Sequence, residues 1–322
     1  MRGSPHSENP PAVPRHREPT ILTSEFRSDL CPVSLRLQSL LVGIDLDPFD
    51  ARPTQGSLCA LRAAASMARR TGAELSLAHV LQEGAERSAA SRTLERLAGP
   101  LRAEGLRCTS LVLVGQAAEV LLAAAERVGA DAVVVGRSSA RPRKAMGGQA
   151  LHLVESGAHP RIWVVHGERE RRARRVLAAV DLDDQLQVIV NEAAGLAELI
   201  GGELHLLHAW QQPFGDGWQE QDTGVGMERR QAAALAAVQA AARVVGRGDA
   251  HLHVGCDHPA RSIRRAVEHL QPEVLVMGTN SRRGIPGLVL GNTAERVLPR
   301  VQTSLWIVPV GILSQRELGR LA

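Results

Sequence analysis

The sequence contains no tyrosine, and aromatic residues make up 2% of its 322 positions. Proteins that hold single-stranded nucleic acid stack bases on aromatic side chains, so that kind of platform is missing. Lys144 is the only lysine. The net charge of +4 and the pI near 9.3 come from arginines spread along the whole chain, the pattern of a solvated surface rather than of a phosphate-backbone track. Cysteine is sparse as well: Cys31, Cys59, Cys108 and Cys256 form no C-x-x-C pair. That spacing argues against a zinc ribbon and a disulfide framework, and for a reducing compartment. No apolar run approaches the ~20 residues of a membrane span. Pro5, Pro10, Pro11, Pro14 and Pro19 stand where a signal peptide has its apolar core. Neither nucleic acid nor membrane is expected as a partner, and a cytoplasmic location is expected.

What is present is length and repetition. A 322-residue chain that is 44% hydrophobic exceeds the ~250–300 residues at which single cores stop growing, so two domains are expected. The pattern Leu40-Leu41-Val42-Gly43-Ile44-Asp45-Leu46-Asp47 returns as Val176-Leu177-Ala178-Ala179-Val180-Asp181-Leu182-Asp183. Glu74–His79 returns as Glu203–His208, Val133–Gly136 as Leu275–Gly278, and Ile162–Val165 as Leu305–Val308. Four landmarks in the same order mark an internal duplication. Between them lie helical stretches near Ser57–Arg70, Arg87–Glu104, Ala117–Val128, Glu228–Val245 and Ala260–Leu270, with further helices starting near Gly148 and Asn292. Short apolar runs alternating with helices predict α/β domains, each a parallel sheet covered on both faces. The expected organisation is a flexible tail over 1–35, a first domain over 36–166, a charged linker over 167–175, a second domain over 176–311 and a short tail over 312–322.

In doubly wound sheets, ligands bind outside the carboxyl ends of the strands where strand order reverses. Asp45 and Asp181 end the first strand of each half, and His79 and His208 end the second. In the second half Gly278 opens a glycine-containing loop, and Gly291-Asn292-Thr293 precedes a helix. Glycines let a backbone approach a phosphate, and an Asn or Thr at a helix start leaves N–H groups facing an anion.

The string Gly278-x-x-Ser281, nine residues, then Gly291-Asn292-Thr293 resembles the universal stress protein signature Gly-x-x-Gly, nine residues, Gly-Ser/Thr. The resemblance covers about residues 36–310 and is greatest to the tandem type. It implies two Rossmann-like domains, each a five-stranded parallel sheet of order 3-2-1-4-5, with the last strands of the two halves pairing. Some members of the family bind ATP and others do not. The site implied here comprises Asp181 near the adenosine, Gly278 and Ser281 at the phosphate loop, and Gly291, Asn292 and Thr293 at the helix start. The first half departs further. Gly136 and Ser139 are followed by eight residues before Gly148, and only Asp45 matches cleanly, so a structural or weakly binding first half is expected.

The function implied is a stress-response binding or signalling module that takes an adenine nucleotide, ATP with Mg²⁺ first, or another small ligand, with the halves forming an intramolecular pseudo-dimer and a homodimer compatible with it. The alternative is a structural or partner-binding protein with decayed sites, whose cleft holds an apolar ligand or nothing. Asp45-Leu46-Asp47 and Asp181-Leu182-Asp183 also resemble the acid pair of aspartyl phosphotransferases, but that chemistry requires a lysine, and Lys144 lies in the other half from Asp181. No catalytic residue is assigned, and ATP hydrolysis is expected to be slow at most. His251, His253, Cys256, Asp257 and His258 form a metal-like string without helical ligand spacing, so no metal is expected.

Overall fold

The computed structural model describes residues 35–84, 86–137, 153, 160–167, 174–183, 185–210, 224–280 and 292–310. Ten strands run as β1 (Ser39–Gly43), β2 (Glu74–Leu81), β3 (Cys108–Val114), β4 (Ala132–Gly136), β5 (Arg161–Val165), β6 (Arg175–Val180), β7 (Glu203–Trp210), β8 (His251–Cys256), β9 (Val274–Asn280) and β10 (Ser304–Val310). Seven helices among the described residues are α1 (Gln55–Thr71), α2 (Arg87–Ala103), α3 (Ala117–Val128), α4 (Leu186–Ile200), α5 (Gly224–Val244), α6 (Pro259–Leu270) and α7 (Asn292–Val297).

All strands join one sheet of order β3-β2-β1-β4-β5-β10-β9-β6-β7-β8. Each half follows 3-2-1-4-5 with parallel neighbours, as expected. The halves meet where β5 runs antiparallel to β10, with Trp163 opposite Trp306. Strands buried on both faces need no alternation, and Leu40, Leu41 and Val42 are all fully buried. Leu40 and Val42 face the core under α1, α2, α4 and α5, whereas Leu41 faces the core under α3, α6 and α7. Each buried side chain of this size contributes about 1.5–3 kcal/mol.

Local signals set the helix ends. The Thr54 side chain accepts from the Ser57 N–H at the start of α1, and Gly72 closes it in the left-handed conformation. Gly129 and Gly201 close α3 and α4 the same way. Most of the expected tails and linker, and the helix expected near Gly148, lie outside the described residues. Leu35, placed in the tail by its sequence, packs on the core, and Leu37 is buried in it.

Candidate functional site

Both halves build the same constellation at the carboxyl ends of their central strands. β1 lies between β2 and β4, and β6 between β7 and β9, so each is the point where strand order reverses. Asp181 follows β6 directly, and Asp45 follows β1 after Ile44. Gly43 is in register with Val135, and Ala179 with Met277, so continuing the register puts Asp45 level with Arg137, one past Gly136, and Asp181 level with Thr279, one past Gly278.

Behind each aspartate stands a buried histidine. His79 Nδ1 lies 2.8 Å from the Ile44 carbonyl oxygen, and His208 Nδ1 lies 2.9 Å from that of Val180. A carbonyl only accepts, so Nδ1 carries the proton in both and pins the strand end. Burial raises the Asp181 carboxyl above its usual range; Asp183 pushes it further up and His208 pulls it back. Asp45 is likewise raised by burial, with His79 pulling down and Asp47 pushing up. Both side chains are open to solvent yet partly desolvated, and raised carboxyls at a strand end are a common mark of ligand sites.

The two halves differ around this shared frame. In the first, the Ser57 hydroxyl accepts from Asp45 N–H at 2.7 Å and lies 2.9 Å from the Thr54 hydroxyl, tying the strand end to α1. Gly136 touches the start of α1 so closely that a Cβ there would lie 2.0 Å from the Gly56 carbonyl oxygen. Arg137, the next residue, is buried and donates to the carbonyls of Val301 and, at 3.5 Å, Pro299 in the other half. Gly136 therefore has a packing reason to be glycine that its sequence context did not reveal. In the second half Thr279 is buried and donates to the Val308 carbonyl. Asn292 opens α7 as expected, with Thr293 half-buried behind it. Ser281, Gly291, Ser139 and Gly148 lie outside the described residues.

The Universal stress protein family model matches residues 37–160 and again 172–309. The chain belongs to the universal stress protein family. The two matches, one over each half, make it a tandem member. Universal stress protein E of Escherichia coli (strain K12) is 29% identical over 168 residues, 49% of this chain and 53% of that one, so the chain spans about half the length of the curated relatives it matches. A protein of unknown function from Pseudomonas aeruginosa PAO1 superposes with a TM-score of 0.68 at 23% identity, over 84% of this chain and 92% of that one. A universal stress protein from Archaeoglobus fulgidus DSM 4304 gives 0.56 at 15% identity, over 84% and 97%. At those identities the structural likeness establishes the Rossmann-like fold. No described helix is long and apolar enough to cross a membrane.

The metal-like string read from the sequence separates in three dimensions. Asp257 is paired to Arg261 and Arg265, and His258 caps α6. His251 and His253 instead both meet His205 of the neighbouring strand, whose own neighbour Glu203 joins His205 and His251 in one group. His205 was missed because its partners lie 46 and 48 residues away. The signal was present, though, since Glu203-x-His205 and His251-x-His253 each put two ligand-type side chains on one strand face.

Proposed function

We propose that this universal stress protein is a ligand-responsive binding module of the stress response, which takes one adenine nucleotide, ATP with Mg²⁺, in its second half and is not primarily an enzyme. The observation that carries the reading is the place of Asp181, an exposed and partly desolvated carboxylate at the end of β6, where β6 parts from β9 just past Gly278. Such a carboxylate gains most from accepting the hydroxyl donors of a ribose. Gly278, Ser281, Gly291, Asn292 and Thr293 are proposed to line the phosphate side, following the signature they resemble. In the first half, Gly136 is packed against Gly56 and Arg137 is committed to the other half, which supports a structural role there.

Hydrogen bonds to charged groups contribute about 1.5–3 kcal/mol. Asp181→Ala is therefore expected to weaken competition by ATP against a fluorescent ATP analogue at least about tenfold, whereas Asp45→Ala leaves it nearly unchanged. Equal affinity in wild type and Asp181→Ala sinks the assignment.

The same carboxylate predicts a stability effect of opposite sign. A carboxyl whose folded pKa is raised weakens the fold at neutral pH, and the penalty lifts as pH falls through that folded pKa; Asp181 is open to solvent, so the penalty is small. Asp181→Asn is thus expected to raise the Tm of the ligand-free protein at pH 7.5 while lowering nucleotide affinity, with the Tm gain shrinking toward acid pH. A drop in ligand-free Tm contradicts the burial argument.

A further inference from the structure

We propose that Glu203, His205 and His251 form a site for a divalent transition-metal ion at the opposite end of the sheet from Asp181. Glu203 and His251 are the first residues of β7 and β8, and the parallel register sets His205 directly beside His251. One ligand atom from each of the three lies within 4.8 Å of the other two. His205 Nε2 is 3.4 Å from Glu203 Oε2. Two donors bound to one ion at about 2.0–2.1 Å with a tetrahedral angle are separated by about 3.3–3.4 Å, so this pair already has the required spacing. His251 stacks on His205 with ring centroids 4.6 Å apart and is only half-buried, which leaves its imidazole free to turn toward a shared ion.

The residues behind this trio suit a second shell. His205 Nδ1 lies 3.0 Å from His253 Nε2, and both histidines are buried. When His205 Nδ1 donates to His253, the lone pair of His205 Nε2 faces a carboxylate oxygen, two acceptors that a cation between them reconciles. A ligating histidine whose other ring N–H is held by a neighbour is the usual metal arrangement. Glu203 is about half exposed, which gives an ion access from solvent. Two imidazoles and one carboxylate favour Zn²⁺, Co²⁺ or Ni²⁺ over Mg²⁺ or Ca²⁺. Arg175 Nε, 2.8 Å from Glu203 Oε2, fixes the carboxylate but adds a competing positive charge, which sets a modest affinity.

The test is titration of the metal-stripped full chain at pH 7.5 with Co²⁺, followed by visible absorption, and with Zn²⁺, followed by calorimetry. The expected result is one saturable ion per chain, a tetrahedral Co²⁺ spectrum, and affinity at least about tenfold weaker in both His251→Ala and Glu203→Gln. Both positions are solvent-accessible, and circular dichroism checks that the variants fold. Cys256→Ala, which removes an exposed thiol outside the group, is expected to bind as wild type does. Absence of saturable binding, binding undiminished in both site variants, or binding lost with Cys256 each overturns the proposal.

Discussion

Glu192→Ala is expected to lower the stability of the chain by about 3–5 kcal/mol, the range for removing one partner of a buried ion pair. Glu192 lies on α4, in the second half, and is 7% exposed. Arg161, from β5 of the first half, forms a two-pronged ion pair with it, with Nε 2.9 Å from each carboxylate oxygen. The indole N–H of Trp306, fully buried on β10, donates to the same carboxylate at 3.1 Å. Trp306 in turn packs on Trp163 of β5, ring centroids 5.6 Å apart. The alanine variant leaves a largely buried guanidinium without this carboxylate and a buried indole N–H without its acceptor. Glu192→Gln keeps an acceptor for Trp306 and is expected to lose less. Because replacing a buried pair by apolar residues of similar size is often neutral, Arg161→Met with Glu192→Leu is expected to recover most of the stability lost by Glu192→Ala. Chemical denaturation of the four proteins reads these differences. A loss under about 1 kcal/mol in Glu192→Ala contradicts the view that this network fastens the halves together.

Gly136→Ala is expected to cost about 3 kcal/mol, at the upper end of over-packing penalties. The obstacle is backbone rather than a side chain that can swing away: the added Cβ would lie 2.0 Å from the Gly56 oxygen and 2.1 Å from its carbonyl carbon. The contact is mutual, since a Cβ on Gly56 would lie 2.6 Å from the Arg137 oxygen. Relief requires α1 to move off the end of β4, which disturbs the ties between Asp45, Ser57 and Thr54. Thermal unfolding with and without ATP separates packing from ligand contact. A large fall in ligand-free Tm, with nucleotide affinity of the folded protein retained, is expected. A variant of normal stability that has lost nucleotide binding would instead return Gly136 to a binding role.

The sequence disclosed the sheet well because its signal was doubled: Leu40–Asp47 and Val176–Asp183 share one pattern, and α3 spans the very residues, Ala117–Val128, that periodicity indicated. The matched places of Asp45 and Asp181 after the central strands were legible for the same reason. Features that depend on long-range contact were not. Glu192 is one of two acids in a largely apolar helix, and its partners lie 31 residues before it and 114 after it. The packing of Gly136 on Gly56 was not legible, because a sequence does not say which backbone lies behind a glycine. The histidines were read along one strand, His251 to His258, when the contacts that matter run across to His205 on the next.

Native mass spectrometry of the full chain in saturating ATP and Mg²⁺ tests the central claim most directly, since it counts bound nucleotides. The account predicts one nucleotide per chain, retained in Asp45→Ala and lost in Asp181→Ala. No nucleotide at millimolar ATP, or one still bound to Asp181→Ala, contradicts it.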